Sequence, residues 1–283
     1  MTRLAAIVAI SCFVATTALA ASLEDIKAIC NCESAKCQKE LFSYLSDDDA
    51  YVRSYAASCL ANLKSVDQKL LSDAVNSKDE RVLALALRVY AKHGSCNGVL
   101  ATYLDSESAA IRTQAAYAAG ELKCASLASK LEEILWDRHI SVRAQAISAL
   151  GKIGDRSKLP KVLAFLNSPH NQVAQAAVVA ASRFGNDAIP SLERFILNGE
   201  TPTLRVRAAI ALASIATPEA TKSLGKILDS RDKYAAGAVL FALKYRTDKK
   251  LVPKIKRYID DDTKFGRYGK LSELAKAALE SQK

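Results

Sequence analysis

Six cysteines, three histidines, one Gly-x-x-Gly phrase and a column of arginines are the residues here whose types could do chemistry. Cys30, Cys32, Cys37, Cys59, Cys96 and Cys124 all lie in the first half of the chain. Four thiolates can hold zinc, but Cys-x-Cys-x4-Cys followed 22 residues later by a single Cys is not a zinc-finger spacing. A Cys-x-x-Cys redox pair is absent. An even number of cysteines behind an export leader reads instead as disulfides. The histidines are His93, His139 and His170. Two of them, His139 and His170, fall at matching places about ~10 Å apart if the chain is made of stacked helices. Without a fixed carboxylate or thiolate partner they read as turn residues, so no metal and no cofactor are expected. The phrase VRAQAISALGKIGD at 142–155 ends in Gly-x-x-Gly, but a phosphate loop also needs a preceding strand and a Gly-Lys-Ser/Thr ending. No Ser-His-Asp set or Gly-x-Ser-x-Gly turn is visible.

Residues 1–20, MTRLAAIVAISCFVATTALA, place one arginine before a short apolar run that ends in Ala-Leu-Ala. This pattern reads as a secretory signal peptide, and the run is too short for a membrane anchor. Losing it lowers the net charge from +10 to +9. The composition, half apolar but only 6% aromatic, favours helices packed closely through small residues.

The phrase at 142 recurs. Anchors fall at Val52, Val82, Ile111, Val142, Val173, Leu204 and Tyr234, at spacings of 29 to 31. Small or apolar residues follow each anchor at four, five, seven and eight places, the inner stripe of a helix. A second apolar-periodic segment precedes most anchors, for example Leu131/Leu135 and Val162/Leu166. Each unit therefore reads as two antiparallel helices, A then B. Asp49, Asp79 and Thr201 are placed to cap B helices, and Pro160, Pro190, Pro218 and Pro253 to start A helices. Gly94, Gly154 and Gly185 are placed to end B helices in the left-handed conformation. The regular period predicts a solenoid.

The recurring VRAQAISALGKIGD phrase resembles HEAT repeats, in the short form of the phycobilisome-lyase type. The resemblance covers about residues 34–246. It implies an all-α, right-handed α-solenoid of about eight antiparallel helix pairs, a HEAT-like α/α superhelix. The expected organisation is a signal peptide at 1–20, an N-terminal cap segment at 21–33, seven repeats at 34–246 and a C-terminal capping pair at 247–283. Three units, at Leu83, Ala174 and Ala235, lack the arginine found after the other anchors, Arg53, Arg112, Arg143 and Arg205. The resemblance favours a structural role for that column, pairing with Asp48, Asp49, Asp105 and Asp137 at neighbouring turns. Some proteins of similar fold are enzymes. The di-iron hydroxylase with such repeats needs His-Glu pairs, which this sequence lacks; an exported protein also fits neither cytoplasmic pigment chemistry nor genomic DNA.

Function is therefore sought on a surface. Ten residues beyond the anchors stand Asn62, Lys92, Glu121, Lys152, Arg183, Ser214 and Lys244, four of them basic; the inner positions include Tyr55, Arg88, Tyr117, Gln145, Val179, Ile210 and Leu240. A concave helix-B face with a basic rim and apolar spots suits an anionic or acidic partner. The expected partner-binding residues are Arg88, Lys92, Tyr117, Gln145, Lys152, Arg183 and Lys244. The expected protein is an exported, periplasmic or extracellular scaffold, not an enzyme, that binds a protein or other anionic macromolecule. The alternatives are an envelope enzyme or accessory subunit, or a binder of anionic polymers or lipid head groups. For the disulfides, the hairpin geometry of the first unit places Cys37 beside Cys59, with Cys30 or Cys32 as alternative partners. Cys96 and Cys124 share the B-to-A edge and form the other expected pair.

Overall fold

The computed structural model describes residues 23–282; the expected signal peptide lies outside them. The chain divides into two compact units, Met1–Leu122 and Lys123–Lys283. The division falls at Lys123, which adopts a left-handed φ of 52°. Among the described residues the regular structure is helical, with one isolated bridge between Lys264 and Lys270. Each unit is a stack of antiparallel helix pairs in the manner of an α-solenoid.

The first unit opens with a short helix, α1 (residues 23–29), and continues with three pairs. They are α2 (Ala35–Ser43) with α3 (Ala50–Asn62), α4 (Gln68–Val75) with α5 (Glu80–His93), and α6 (Gly98–Leu104) with α7 (Ala109–Glu121). The second unit holds α8 (Ala128–Glu133) with α9 (Ile140–Ile153), α10 (Leu159–Ala164) with α11 (Asn171–Arg183), and α12 (Ile189–Asn198) with α13 (Pro202–Ala213). It ends with α14 (Pro218–Asp229) beside α15 (Lys233–Ala242), then the short α16 (Val252–Ile255) and α17 (Leu271–Glu280). Successive B helices pack side by side, α3 on α5 on α7 in one unit and α9 on α11 on α13 on α15 in the other. Their inner stripes are alanine-rich, with Ala115, Ala118, Ala146, Ala149, Ala177 and Ala180 fully buried.

Local chemistry sets the helix starts. Asp49 accepts from the backbone of Tyr51 at 2.7 Å and Val52 at 3.2 Å, Asp79 from Arg81 at 2.8 Å, and Thr201 from Leu204 at 3.2 Å. The first five A–B turns share a further device. Two residues before each B-helix cap, Asp47, Ser77, Ser106, Asp137 and Ser168 accept from the backbone N–H of the cap residue, at 2.8 to 3.3 Å. Such side-chain turns reproduce a backbone turn at fixed length, which keeps the repeats in register. Gly154 and Gly185 end helices with φ of 75° and 58°. Gly94 does not: its φ is −85°, because the Tyr90 ring folds over it and leaves no room for a Cβ.

The arginine column is structural, and it clamps backbone carbonyls in addition to the acid of the next turn that Arg205 meets. Arg53 donates to the carbonyls of Asp47 and Asp48, at 2.7 and 2.9 Å, and Arg112 to those of Ser106 and Glu107, at 2.6 and 2.9 Å. Arg143 donates to the Asp137 carbonyl at 3.0 Å. Arg205 takes the carbonyls of Gly199 and Ile196, and adds the Asp232 carboxylate of the next turn at 2.8 Å. The end of helix A leaves carbonyls without helical partners, and a guanidinium one turn into helix B reaches them. The three units without this arginine are served from the following pair instead. Tyr103 donates to the Val75 carbonyl, Arg207 to those of Leu166 (2.9 Å) and Ser168 (3.0 Å), and Tyr258 to that of Leu228 (2.7 Å). Burial raises the pKa of both tyrosines, which keeps these donors protonated.

Two disulfides tie down the start of the first unit, Cys30–Cys59 and Cys32–Cys37, with Cα separations of 4.9 and 5.9 Å. The Cys37–Cys59 pairing expected from hairpin distance is thereby corrected. The inward stripe of α2 is Gln38, Leu41 and Phe42, which turns Cys37 about 100° away from α3. Gln38 fills the inward position, its amide donating to the carbonyls of Glu33 and Ser65 and its oxygen accepting from Asp67. Cys59, buried on α3, is met by Cys30 from the N-terminal segment. Cys96 and Cys124 are also disulfide-bonded.

The last pair closes the second unit. Phe265 and Leu271 pack against Gly237, where any Cβ would lie 2.7 Å from the Phe265 ring. Asp261 anchors this segment, accepting from the Thr263 backbone at 3.0 Å and pairing with Lys233 at 2.9 Å. Hydrogen bonding by Thr263, then by Lys233, lowers the Asp261 pKa to about 2. An unfolded aspartate titrates near ~3.9. The stabilisation is thus complete above about pH 4 and is lost as pH falls toward 2. Asp261→Asn should melt below the wild type at neutral pH, and thermal melts should show that difference vanish near about pH 2.

Candidate functional site

In the first unit, three successive B helices meet around a shallow pocket of about 190 Å³. Its floor comes from α3, where Ala57 and Ala61 are too small to fill the space, and Asn62 stands at its rim. Arg88 and Lys92 of α5 are four residues apart, so both heads project from one face. Both are exposed. Tyr117 of α7 completes the wall, half-buried. Its pKa is raised, first by burial and then by the negative charge of Glu121, with Arg88 opposing. The phenol stays protonated and is hydrogen-bonded to the Glu121 side chain. Two cations over an alanine floor can take an anionic group whose neighbouring atoms are apolar.

Three of the seven residues expected on the partner-binding face, Arg88, Lys92 and Tyr117, thus share one pocket. The other four stand in the second unit. Gln145 and Lys152 lie on α9 and both are half-buried. Arg183, at the end of α11, is exposed. Lys244 follows α15 and lies over the Phe241 ring, 5.2 Å from its centroid. These four line neither this pocket nor the second one described below. Leu240, expected beside them, is fully buried, because α17 packs on α15 and covers that stretch. The histidines hold turns and helix ends: His93 bonds the Leu60 carbonyl at 3.0 Å, and His139 the Asp137 carboxylate at 3.2 Å. Among the described residues no group of three or more His, Cys, Asp or Glu is placed to hold a metal ion. No helix among them is long and apolar enough to cross a membrane.

A second pocket, in the second unit between the turns of α8–α9 and α10–α11, escaped the sequence reading. Its signal was present: Trp136 occupies a place that is polar in the four comparable turns, at Ser46, Asn76, Asp105 and Asn167.

Stacked helix pairs with carbonyl-clamping turns and a B-helix face bearing the pocket define an all-α repeat scaffold. The family model of HEAT repeats matches residues 128–213. That stretch is similar to HEAT repeats. No curated protein matches it in sequence. Among solved structures, Escherichia coli YibA is similar at 18% identity and a TM-score of 0.52, over 87% of this chain and 94% of that one. That likeness shows the fold. An engineered protein is similar at 20% identity and a TM-score of 0.44, over 88% of this chain and 79% of its own. The complex of CpcE and CpcF of phycocyanin lyase from Nostoc sp. PCC7120 gives 20% identity and a TM-score of 0.38, over 87% and 88%.

Proposed function

We propose that this protein is an exported HEAT-repeat scaffold that binds an acidic macromolecular partner through its B-helix face. The observation that carries the reading is the pocket in which Arg88, Lys92 and Tyr117 converge over an alanine floor. Two exposed cations without an acidic partner four residues away on their own helix leave charge available to a ligand. The disulfides support an oxidising compartment, where such bonds persist. The basic residues Lys152, Arg183 and Lys244 extend the same positive character to the second unit.

The test uses a fluorescently labelled Glu-rich peptide as probe. Wild-type binding should weaken with salt, since surface charges are screened over about 10 Å at 0.1 M ionic strength. The Arg88→Glu/Lys92→Glu pair should lose about tenfold or more in affinity, roughly 1.4 kcal/mol, while its circular dichroism is unchanged. Equal affinity for the wild type and the double variant would remove this pocket from the reading. A Lys152→Glu/Arg183→Glu pair asks separately whether the second unit takes part.

A further inference from the structure

The second pocket encloses about 390 Å³ and is lined chiefly by Trp136, Arg143, Phe165, Asn167, Pro169 and His170. That volume lies in the range of small-ligand sites. Two features set it apart from the repeat pattern around it.

First, Trp136 is 74% exposed in a column that is otherwise small and polar, so the solenoid does not need an indole there. It rests against Phe165, ring centroids 4.8 Å apart at 45°, and lines the pocket. Second, the turn is held from outside. Arg207 donates to the carbonyls of Leu166 and Ser168 and, at 3.2 Å, to Asn171 Oδ1. Arg143 is fixed on the Asp137 carbonyl at 3.0 Å. The pocket is formed before any ligand arrives, which lowers the entropic cost of binding.

The lining also selects a class of ligand. Arg143 donates to the Asp137 backbone carbonyl at 3.0 Å, so one of its five N–H groups is already engaged. One ring is exposed; Phe165 is buried beneath it. A proline-rich peptide uses a groove between aromatic side chains. A single flat ring rimmed by an amide, an imidazole and a guanidinium offers a C–H-bearing face a platform and supplies hydroxyls with both donors and acceptors. We propose that this pocket is a saccharide-binding subsite, which stacks a neutral pyranose ring on Trp136 and engages its hydroxyls through Asn167, His170 and Arg143. The inference stands apart from the α3–α5–α7 pocket and from any acidic partner.

Trp136 is the one tryptophan of the chain, so its fluorescence reports this site. The full chain is titrated with chitotriose, cellotriose and maltotriose, and in parallel with a proline-rich peptide. A saturable change with at least one trisaccharide is expected. By calorimetry, Asn167→Ala and His170→Ala should each bind that trisaccharide about tenfold more weakly, and Trp136→Ala should show no binding with its circular dichroism intact. No response to any trisaccharide up to about 10 mM would overturn the proposal. So would saccharide binding that survives all three substitutions, or a response to the peptide alone, which would make the pocket a peptide groove.

Discussion

Gly151→Val is expected to destabilise the second unit by about 3 kcal/mol or more, among the largest effects of any single substitution in this chain. Gly151 is buried on α9 where that helix passes α11. A Cβ at this place would lie 2.6 Å from both Cα and Cβ of Ala180 and 3.2 Å from its carbonyl oxygen. The obstacle is backbone, so no rotamer change relieves it. The helices must separate, and the alanine stripe on either side loses contact along its length. Even Gly151→Ala should destabilise, because the roughly 1 kcal/mol gain in helix propensity does not offset such a clash. Gly154→Ala is the control. Gly154 has a φ of 75° with open space around it, so its cost is the left-handed backbone alone, about 1 kcal/mol. Denaturant titration followed by Trp136 fluorescence reads the second unit directly. A Gly151→Val protein within about 1 kcal/mol of wild type would show that α9 and α11 can part freely, contrary to the packing described.

That glycine belongs to a column the sequence does display. Nine places beyond the first six anchors stand Ala61, Ala91, Gly120, Gly151, Ser182 and Ala213, and beyond the seventh Leu243. Periodic, local features of this kind are legible because each repeat restates them: the A–B alternation, the caps Asp49, Asp79 and Thr201, the prolines that open A helices. Arg88, Lys92 and Tyr117 were legible for the same reason, since register alone puts them on one face of adjoining helices. Features that link non-equivalent positions were not. The carbonyl donors Tyr103, Arg207 and Tyr258 replace a missing arginine from three different places in the following pair, so no column announces them. Leu240 is buried by α17, which interrupts the period. Cys37 obeyed the hairpin distance but not the helical phase, and one residue of phase is enough to turn a side chain out of reach. Trp136 lay in plain view, but a repeat reading looks for what recurs and passes over what stands alone.

Breaking Cys30–Cys59 is expected to cost the first unit more than breaking Cys32–Cys37. The first bridge spans 29 residues of sequence and the second 5. In the chain-entropy picture these loops are worth about 3.6 and about 2.2 kcal/mol. Position widens the gap. Cys59 is buried in the middle of the α3 packing face, and Cys30 follows α1, whose Ile26 is fully buried. The long bridge therefore fastens α1 over the first helix pair, whereas the short one closes a loop beside the start of α2. Cys30→Ala/Cys59→Ala should lower the denaturation midpoint of the first unit and expose residues 23–33 to protease under conditions where the wild type is intact. Cys32→Ala/Cys37→Ala should shift the midpoint less and leave α1 protected. Cys30→Ala alone, with Cys59 left as a small buried thiol, separates loss of the cross-link from any disturbance of the α3 core. Equal midpoints for the two double variants, or a protected α1 without its bridge, would mean that Ile26 and its neighbours hold the cap by packing alone.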